Sequence, residues 1–188
     1  MRIKLYLDNN VWDKLLEYQI DITKELPAHE YDLHITREAE FEVESMPEEK
    51  RAYAKESIAK ANIKTDRIFG FLDPNIPKDE QRHGGFGDKF SPSENSGRFV
   101  TVSEREIFRA EKHLIGSKNA KTKLLRNEAD VSLAARSAHS TILTCDNKKA
   151  LKRASISSGN VIDLREWSGT ESLSEFIKLK LDAAGGIG

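Results

Sequence analysis

Four acidic residues lie at points in the chain where carboxylates can carry out chemistry. Asp8 directly follows a short apolar stretch, and Asp146 follows another one with a single residue between. Asp130 lies in an alanine-rich segment ahead of that later stretch, and Glu42 lies in a predicted helix. Several carboxylates in one pocket cannot all stay ionised unaided. If these four converge, they require a cation, and oxygen ligands without a soft ligand set favour Mg²⁺ or Mn²⁺.

The reaction that most often uses such a site is hydrolysis of a phosphodiester, in which metal ions activate a water and stabilise the transferring phosphate. Residues 13–59 hold 13 acidic and 6 basic side chains, whereas residues 112–153 hold 10 basic and 3 acidic ones. The basic segment carries Asp130 and Asp146, so a positive surface is expected around an acidic site, as binding of a polyanion requires. Two solvated helix faces of opposite sign are the alternative interpretation.

Short apolar stretches that alternate with amphipathic ones must position these acids. Strands are predicted at residues 3–7, 31–35, 140–144 and 161–164. Helices are predicted after residue 10, after the N-cap Thr36, and over 48–63, 103–115, 124–138, 146–153 and 172–181. This alternation indicates a three-layer α/β/α fold with a short, mostly parallel sheet. Ligands of such sheets bind beyond the carboxyl ends of the strands, so the four acids are expected at one edge.

The length of 188 residues fits one domain with an elaboration. Residues 1–167 are predicted to form that domain, with an irregular insertion at about 57–98. Inside the insertion, residues 71–97 hold three prolines and four glycines, which is typical of a long loop. Residues 168–188 are predicted to form a C-terminal helix and a flexible tail.

Composition excludes several classes of protein. The net charge of −1 excludes a uniformly basic histone-like binder and an acidic disordered tail. The mean hydropathy of −0.59 and the lack of a long apolar run exclude a transmembrane helix. The early acid Asp8 argues against a signal peptide, and the single Cys145 excludes an internal disulfide. A cytoplasmic protein with no membrane association is expected.

Three motifs in this order resemble the PIN-domain family. They are Leu5-Tyr-Leu-Asp8-Asn-Asn10-Val, Asn127-Glu-Ala-Asp130-Val-Ser-Leu-Ala-Ala135 and Ile142-Leu-Thr144-Cys-Asp146, with a helix acid near Glu42 between the first two. The resemblance covers residues 1–56 and 99–167, and residues 57–98 have no counterpart. It implies a metal-dependent ribonuclease acting on single-stranded RNA, as in the toxins of bacterial toxin–antitoxin pairs.

The resemblance also implies roles for individual residues. The catalytic residues, which would bind the metal directly or through water, are Asp8, Glu42, Asp130 and Asp146. Asn10 would orient Asp8, and Thr144 would add a hydroxyl near the metal. Glu38 lies one turn before Glu42 on the same helix face and is the alternative second acid.

RNA is the expected substrate, and the resemblance adds two expected protein partners. Basic residues beside Asp130 and Asp146 are expected to contact RNA phosphates, namely Lys148, Lys149, Lys152, Arg126 and Lys123. If the chain is a toxin, an antitoxin would mask the site, for example with an Arg or Lys in the acid cluster. The family also suggests a homodimer.

The same residues argue against three other classes of protein. A phosphatase of the haloacid dehalogenase type needs a second aspartate where this chain has Asn10. A phosphorelay receiver needs an acidic pair in its first loop, and a P-loop hydrolase needs a Gly-rich Lys-Ser/Thr motif that the chain lacks. The open alternative is a non-catalytic PIN-like domain that binds RNA or protein. Asp8 and Asp146 would then serve only as turn and helix-cap residues.

Overall fold

The computed structural model describes residues 2–70, 77, 81–83, 97–119, 121–146, 149–158 and 160–185. These residues form five β-strands and eight α-helices. The strands are β1 (Ile3–Leu7), β2 (Tyr31–Thr36), β3 (Lys64–Asp66), β4 (Thr141–Thr144) and β5 (Val161–Asp163). The helices are α1 (Val11–Glu17), α2 (Ile22–Glu25), α3 (Arg37–Glu44), α4 (Glu48–Lys60), α5 (Val102–Glu111), α6 (Glu128–Arg136), α7 (Lys149–Ser158) and α8 (Leu173–Ala183). Short 3₁₀ turns follow α5 and β5, at Lys112–Leu114 and Leu164–Glu166.

The five strands form one parallel sheet in the order β3-β2-β1-β4-β5. Starting from β1, the chain extends the sheet to one side with β2 and β3 and then to the other side with β4 and β5. The strand order therefore changes direction between β1 and β4, and ligands of open parallel sheets bind beyond the carboxyl ends at such a point. The predicted α/β fold with three layers is confirmed.

Side chains that alternate along the strands build a separate core on each face of the sheet. On one face Leu5, Leu7 and Leu143 pack with Trp12 of α1 and Ile177 of α8. On the other face, the core contains Tyr6 and Ile142 with apolar residues of α6 and α7, including Val131, Ala134, Leu151 and Ala154. Both cores are shielded from water, so the sheet is a rigid layer that fixes the backbone next to the acids.

The edge strand β3 is the element that the sequence pattern does not indicate. It consists of Lys64, Thr65 and Asp66 and pairs with β2, inside the stretch predicted as an insertion. A long-range ion-pair network holds it. Asp66 Oδ2 accepts from Arg136 Nε of α6 at 2.8 Å, and Asp66 Oδ1 accepts from Arg98 Nε at 2.7 Å. Most of the Pro- and Gly-rich stretch 71–97 lies outside the described residues.

Two helices that bear on the site start later than predicted. The helix predicted from residue 124 begins at Glu128, because Asn127 has a left-handed backbone with φ of 60° and donates from Nδ2 to the Leu114 carbonyl at 2.7 Å. The helix predicted over 146–153 begins at Lys149 and ends at Ser158. Local sequence patterns place helix ends poorly because tertiary bonds of this kind decide them.

The C-terminal helix α8 forms close to its predicted bounds. Ser172 caps it, since the Ser172 hydroxyl accepts from the Glu175 N–H while the Glu175 carboxylate accepts from the Ser172 N–H. Leu173, Phe176 and Ile177 are buried in the same core as β1 and α1. The helix thus completes the core of residues 1–167, whereas residues 186–188 lie outside the described residues.

The part of the chain that the structure describes has no helix long and apolar enough to cross a membrane.

Candidate functional site

Asp8 lies at the carboxyl end of β1, where the strand order changes direction. Its backbone N–H donates to the Leu143 carbonyl at 3.0 Å, so the β1–β4 ladder runs up to the acid itself. Its carboxylate accepts three hydrogen bonds, from the Asn9 N–H and Asn10 Nδ2 at 2.7 Å each and from Thr144 Oγ1 at 2.6 Å. Asp8 is 8% exposed, so these donors fix its orientation in a largely dry site.

Asn10 and Thr144 tie the turn after β1 to the turn after β4. Asn10 Oδ1 accepts from the Cys145 N–H at 2.6 Å, and Thr144 Oγ1 accepts from the Asp146 N–H at 2.9 Å. Thr144 is fully buried. The backbone that carries Asp146 is therefore held beside Asp8 by the two residues that the sequence assigned to supporting roles.

Glu42 is attached to the same turn by Asn9, a residue that the sequence analysis did not single out. Asn9 Nδ2 donates to Glu42 Oε2 at 2.6 Å and to the Ala39 carbonyl at 3.1 Å. Asn9 Oδ1 is buried and has no hydrogen-bond partner among the described residues. The only sequence signal was its place in the Asp8-Asn9-Asn10 turn, which suits a turn residue equally well.

Asp130 is the third residue of α6, the helix that begins directly after Asn127. Asn127 Oδ1 accepts from Lys149 Nζ at 2.8 Å, which joins the beginning of α6 to the beginning of α7. The charge of Asp130 acts on Asp8 and Glu42, and Asp146 acts on Asp130. Asp130 is therefore close enough to Asp8, Glu42 and Asp146 for their charges to repel one another pairwise.

Burial and repulsion raise the pKa values of three of these acids. Burial and, to a smaller extent, the charge of Asp130 raise the pKa of Asp8 to about 6, although the hydrogen bond from Thr144 lowers it. Burial, together with the charges of Asp8 and Asp130, raises the pKa of Glu42 to about 7, although the Asn9 bond opposes this. Burial and Asp146 likewise raise the pKa of Asp130. Charged carboxylates are thus disfavoured here unless positive charge is supplied.

The acids are linked in pairs rather than as a closed ligand set. Among the residues that the structure describes, no three His, Cys, Asp or Glu side chains are close enough to hold a metal ion as they stand. Glu38, the alternative second acid, acts on Glu42 and Glu128 and has a buried Oε2 without a hydrogen-bond partner among those residues. Glu42 is the acid that Asn9 connects to the Asp8 turn.

The basic residues predicted to bind RNA are spread over several places. Lys149 lies near Asp130, whose pKa its charge lowers, and Lys152 and Arg126 are exposed. Lys123 lines a groove of about 690 Å³ on the far side of α3, with Phe41 and Ile58. Lys148 lies outside the described residues.

A cation missed by the sequence analysis lies beyond β5, beside Asp146. Arg165 pairs with Asp163, with Nε 2.9 Å from Oδ1, and its pKa is raised first by that bond and more weakly by the charge of Asp146. Its side chain is 53% exposed, so the guanidinium is in contact with solvent. In the sequence, Arg165 is marked only by the tripeptide Asp163-Leu-Arg165 at the end of a short strand. This pattern is too common to identify Arg165 as a site residue.

No protein-family model, curated protein or solved structure matches the chain. The contacts of its own residues are therefore the basis for assigning a function.

Proposed function

We propose that this protein is a metal-dependent endoribonuclease with a PIN-like site. The observation that carries the proposal is the set of raised carboxyl pKa values at the switch point of the sheet. Crowded buried carboxylates cost stability, and strongly perturbed pKa values cluster at functional sites. The resemblance of the surrounding motifs to the PIN family supports the same conclusion and favours single-stranded RNA as the substrate.

The residues present fit a hard divalent cation. Asp8, Glu42, Asp130 and Asp146 offer oxygen ligands alone, and the buried Asn9 Oδ1 is a further oxygen without a partner in the described chain. These four acids would hold Mg²⁺ or Mn²⁺ directly or through water. The bound ion would supply water activation and charge neutralisation at the phosphate.

The remaining residues prepare the site for such an ion. Asn10 and Thr144 hold the Asp8 carboxylate in one orientation, and Asn9 does the same for Glu42. Ligands that are fixed before binding lose little freedom when the ion and substrate arrive. Lys149 lies near Asp130 and Arg165 lies within range of the Asp146 charge, so these two cations would contact an RNA backbone.

The partners proposed for this site follow from the same resemblance. RNA is the proposed substrate, and we propose a cytoplasmic location for the activity. A toxin–antitoxin arrangement would add an antitoxin that blocks the acids, and a homodimer is a second proposed assembly.

One observation favours a second candidate function. Because no three candidate ligands in the described ranges are close enough to hold a metal, a non-catalytic PIN-like domain that binds RNA or protein is the alternative. The two functions differ in whether divalent cations bind, so a cation titration separates them.

The test is calorimetric titration of Mn²⁺ into wild type, Asp8→Asn and Asp130→Asn, with Asp182→Asn as the matched control on exposed α8. We expect saturable binding in wild type and Asp182→Asn, and its loss in the two site variants. Cleavage of a single-stranded RNA should show the same pattern and should stop in EDTA. No binding in wild type, together with no cleavage, would favour the non-catalytic function.

A further inference from the structure

A cleft of about 370 Å³ lies between α3, α5 and α6, and the α3 residue that lines it is Glu38. Its walls are mainly apolar and include Ile68, Val100, Phe108, Leu125 and Ala135. A volume of this size with apolar walls and a few polar groups is typical of a small-ligand site. We call it the Glu38 cleft, after the acid on the α3 side.

Glu38 connects this cleft to the acids. It lies one helical turn before Glu42, and its charge acts on that residue. A ligand that contacts Glu38 would therefore lie one helical turn from Glu42. Helix α3 therefore contributes Glu38 to the cleft and Glu42 to the four acids.

Glu38 is also the acid of the cleft with an unused acceptor. Glu128 Oε1 pairs with Arg82 Nε at 2.8 Å, and the Glu104 carboxylate pairs with Arg98. Glu38 Oε2, in contrast, is buried and has no hydrogen-bond partner among the described residues. A buried acceptor left unpaired costs stability, so a donor-bearing ligand is favoured here.

We propose that the Glu38 cleft binds a guanine base of single-stranded RNA, an inference that rests on the proposed nuclease function. Apolar walls suit a flat base, because single-stranded RNA is recognised by unstacked bases inserted between side chains. Guanine presents N1–H and N2–H₂ side by side, and a carboxylate can accept from both. Adenine and cytosine offer a single amino group on that edge, and uracil a single ring N–H.

The mouth of the cleft supports an RNA ligand. Phe99 is 70% exposed and lies next to the wall residue Val100, with its ring centroid 4.9 Å from that of Phe69. The exposed ring of Phe99 can stack a neighbouring base. Arg105 lines the cleft and is exposed, which places a cation where the RNA backbone would leave it.

The test measures binding of labelled pentanucleotides UUGUU, UUAUU, UUCUU and UUUUU by fluorescence anisotropy in EDTA, where no cleavage occurs. Wild type should bind UUGUU at least about tenfold more tightly than the others. Glu38→Gln should reduce that preference to about twofold, since an amide offers one acceptor oxygen in place of two. Glu106→Gln, the same change on exposed α5, should keep the wild-type preference. Val100→Trp should weaken UUGUU binding by filling the cleft.

Equal binding of the four oligonucleotides, or a preference that survives in Glu38→Gln, would overturn the inference. An unchanged melting temperature of Glu38→Gln confirms that the variant is folded. The same oligonucleotides are then incubated with Mn²⁺. Cleavage without a guanine preference contradicts the inference alone, and a guanine preference in EDTA without cleavage contradicts the nuclease function alone.

Discussion

Asn9 Nδ2 donates a 2.6 Å hydrogen bond to Glu42 Oε2, across 33 positions of sequence. This bond joins the turn after β1 to the second half of α3. Because the Asn9 N–H also donates to Asp8 Oδ1 at 2.7 Å, Asn9 bridges two of the four acids. Because Asn9 is 7% exposed, little water is available to replace the bond when it is removed.

We expect Asn9→Ala to reduce Mn²⁺ affinity and RNA cleavage by about 10- to 100-fold, the usual effect of removing a residue that orients a metal ligand. Asn119→Ala, in an exposed loop, is the control and should leave both unchanged. The measurement is calorimetry together with a KM-against-kcat analysis, in which kcat should carry the loss. Wild-type affinity in Asn9→Ala would show that Glu42 needs no positioning.

Glu42→Gln should stabilise the metal-free protein. The pKa of Glu42 is raised from its usual 4.5 to about 7, chiefly by burial and by the charges of Asp8 and Asp130. The folded state then binds more protons than the unfolded state between these values, so wild-type stability falls as the pH rises through that window. At about pH 8 in EDTA, Glu42→Gln should unfold with a free energy on the order of 1–3 kcal/mol higher than wild type.

The pH dependence provides the check on the Glu42 prediction. Urea unfolding at about pH 4 should show almost no difference between the two proteins, because Glu42 is then protonated in both states. Saturating Mn²⁺ should reverse the order, since the ion stabilises only the protein that binds it. A constant difference at all pH values would contradict the assignment of the effect to Glu42 ionisation.

Asp66 should give the opposite pH dependence. Burial raises its pKa, but Arg136 and Arg98 outweigh burial and hold the pKa at about 2, below the usual 3.8. This carboxylate therefore adds about 2 kcal/mol of stability above pH 4, which is lost as the pH falls towards 2. Acid titration of wild type, followed by circular dichroism, should show that loss.

Arg98→Met tests the same ion-pair network. We expect a cost of about 1–3 kcal/mol at neutral pH, because the variant leaves Asp66 and Glu104 with one partner fewer in a buried place. Arg109→Met on the exposed side of α5 should change stability by less than about 0.5 kcal/mol. If both variants cost the same in urea unfolding, the network does not stabilise β3.

Ile177→Ala tests whether α8 belongs to the main core. Ile177 is fully buried against the β1 face, so we expect a loss of about 2–5 kcal/mol in one cooperative transition. Leu179→Ala, at a position that is 64% exposed, should cost less than about 0.5 kcal/mol. Two separate transitions would instead show that the helix unfolds independently.

Four of the five strands and the Thr36 cap were predictable, because each depends on local sequence. Apolar runs specify β1, β2, β4 and β5, and the Thr36 hydroxyl accepts from the Ala39 N–H only three residues away. The edge strand β3 was not predictable, since Lys64, Thr65 and Asp66 carry no apolar pattern. Its position depends on Arg98 and Arg136, which come from distant parts of the chain.

Some residues of the candidate site could likewise be predicted from local sequence, and others could not. The edge positions of Asp8 and Asp146 could be predicted because Asp8 directly follows β1, Asp146 follows β4 after one residue, and strand ends share one edge of a parallel sheet. Asn9 could not be recognised, because an asparagine in a turn has the same local sequence whether it bonds to its own turn or to a distant glutamate. The position of Lys123 beside the groove of about 690 Å³ could not be predicted. It depends on the loop before α6, and the pattern of residues 124–138 predicts helix for part of that loop.

The 136-residue separation between Asp8 and Thr144 has a consequence for the protein during its synthesis. Strand β1 leaves the ribosome early in synthesis. Thr144, which donates the third hydrogen bond to the Asp8 carboxylate, leaves only when β4 does. Until then β1 lacks one of its two neighbours, and Asp146 has not joined the other acids. Folding that depends on such a distant pairing is slow to begin. Any chemistry of the four acids is thus withheld from a nascent chain until most of it has left the ribosome.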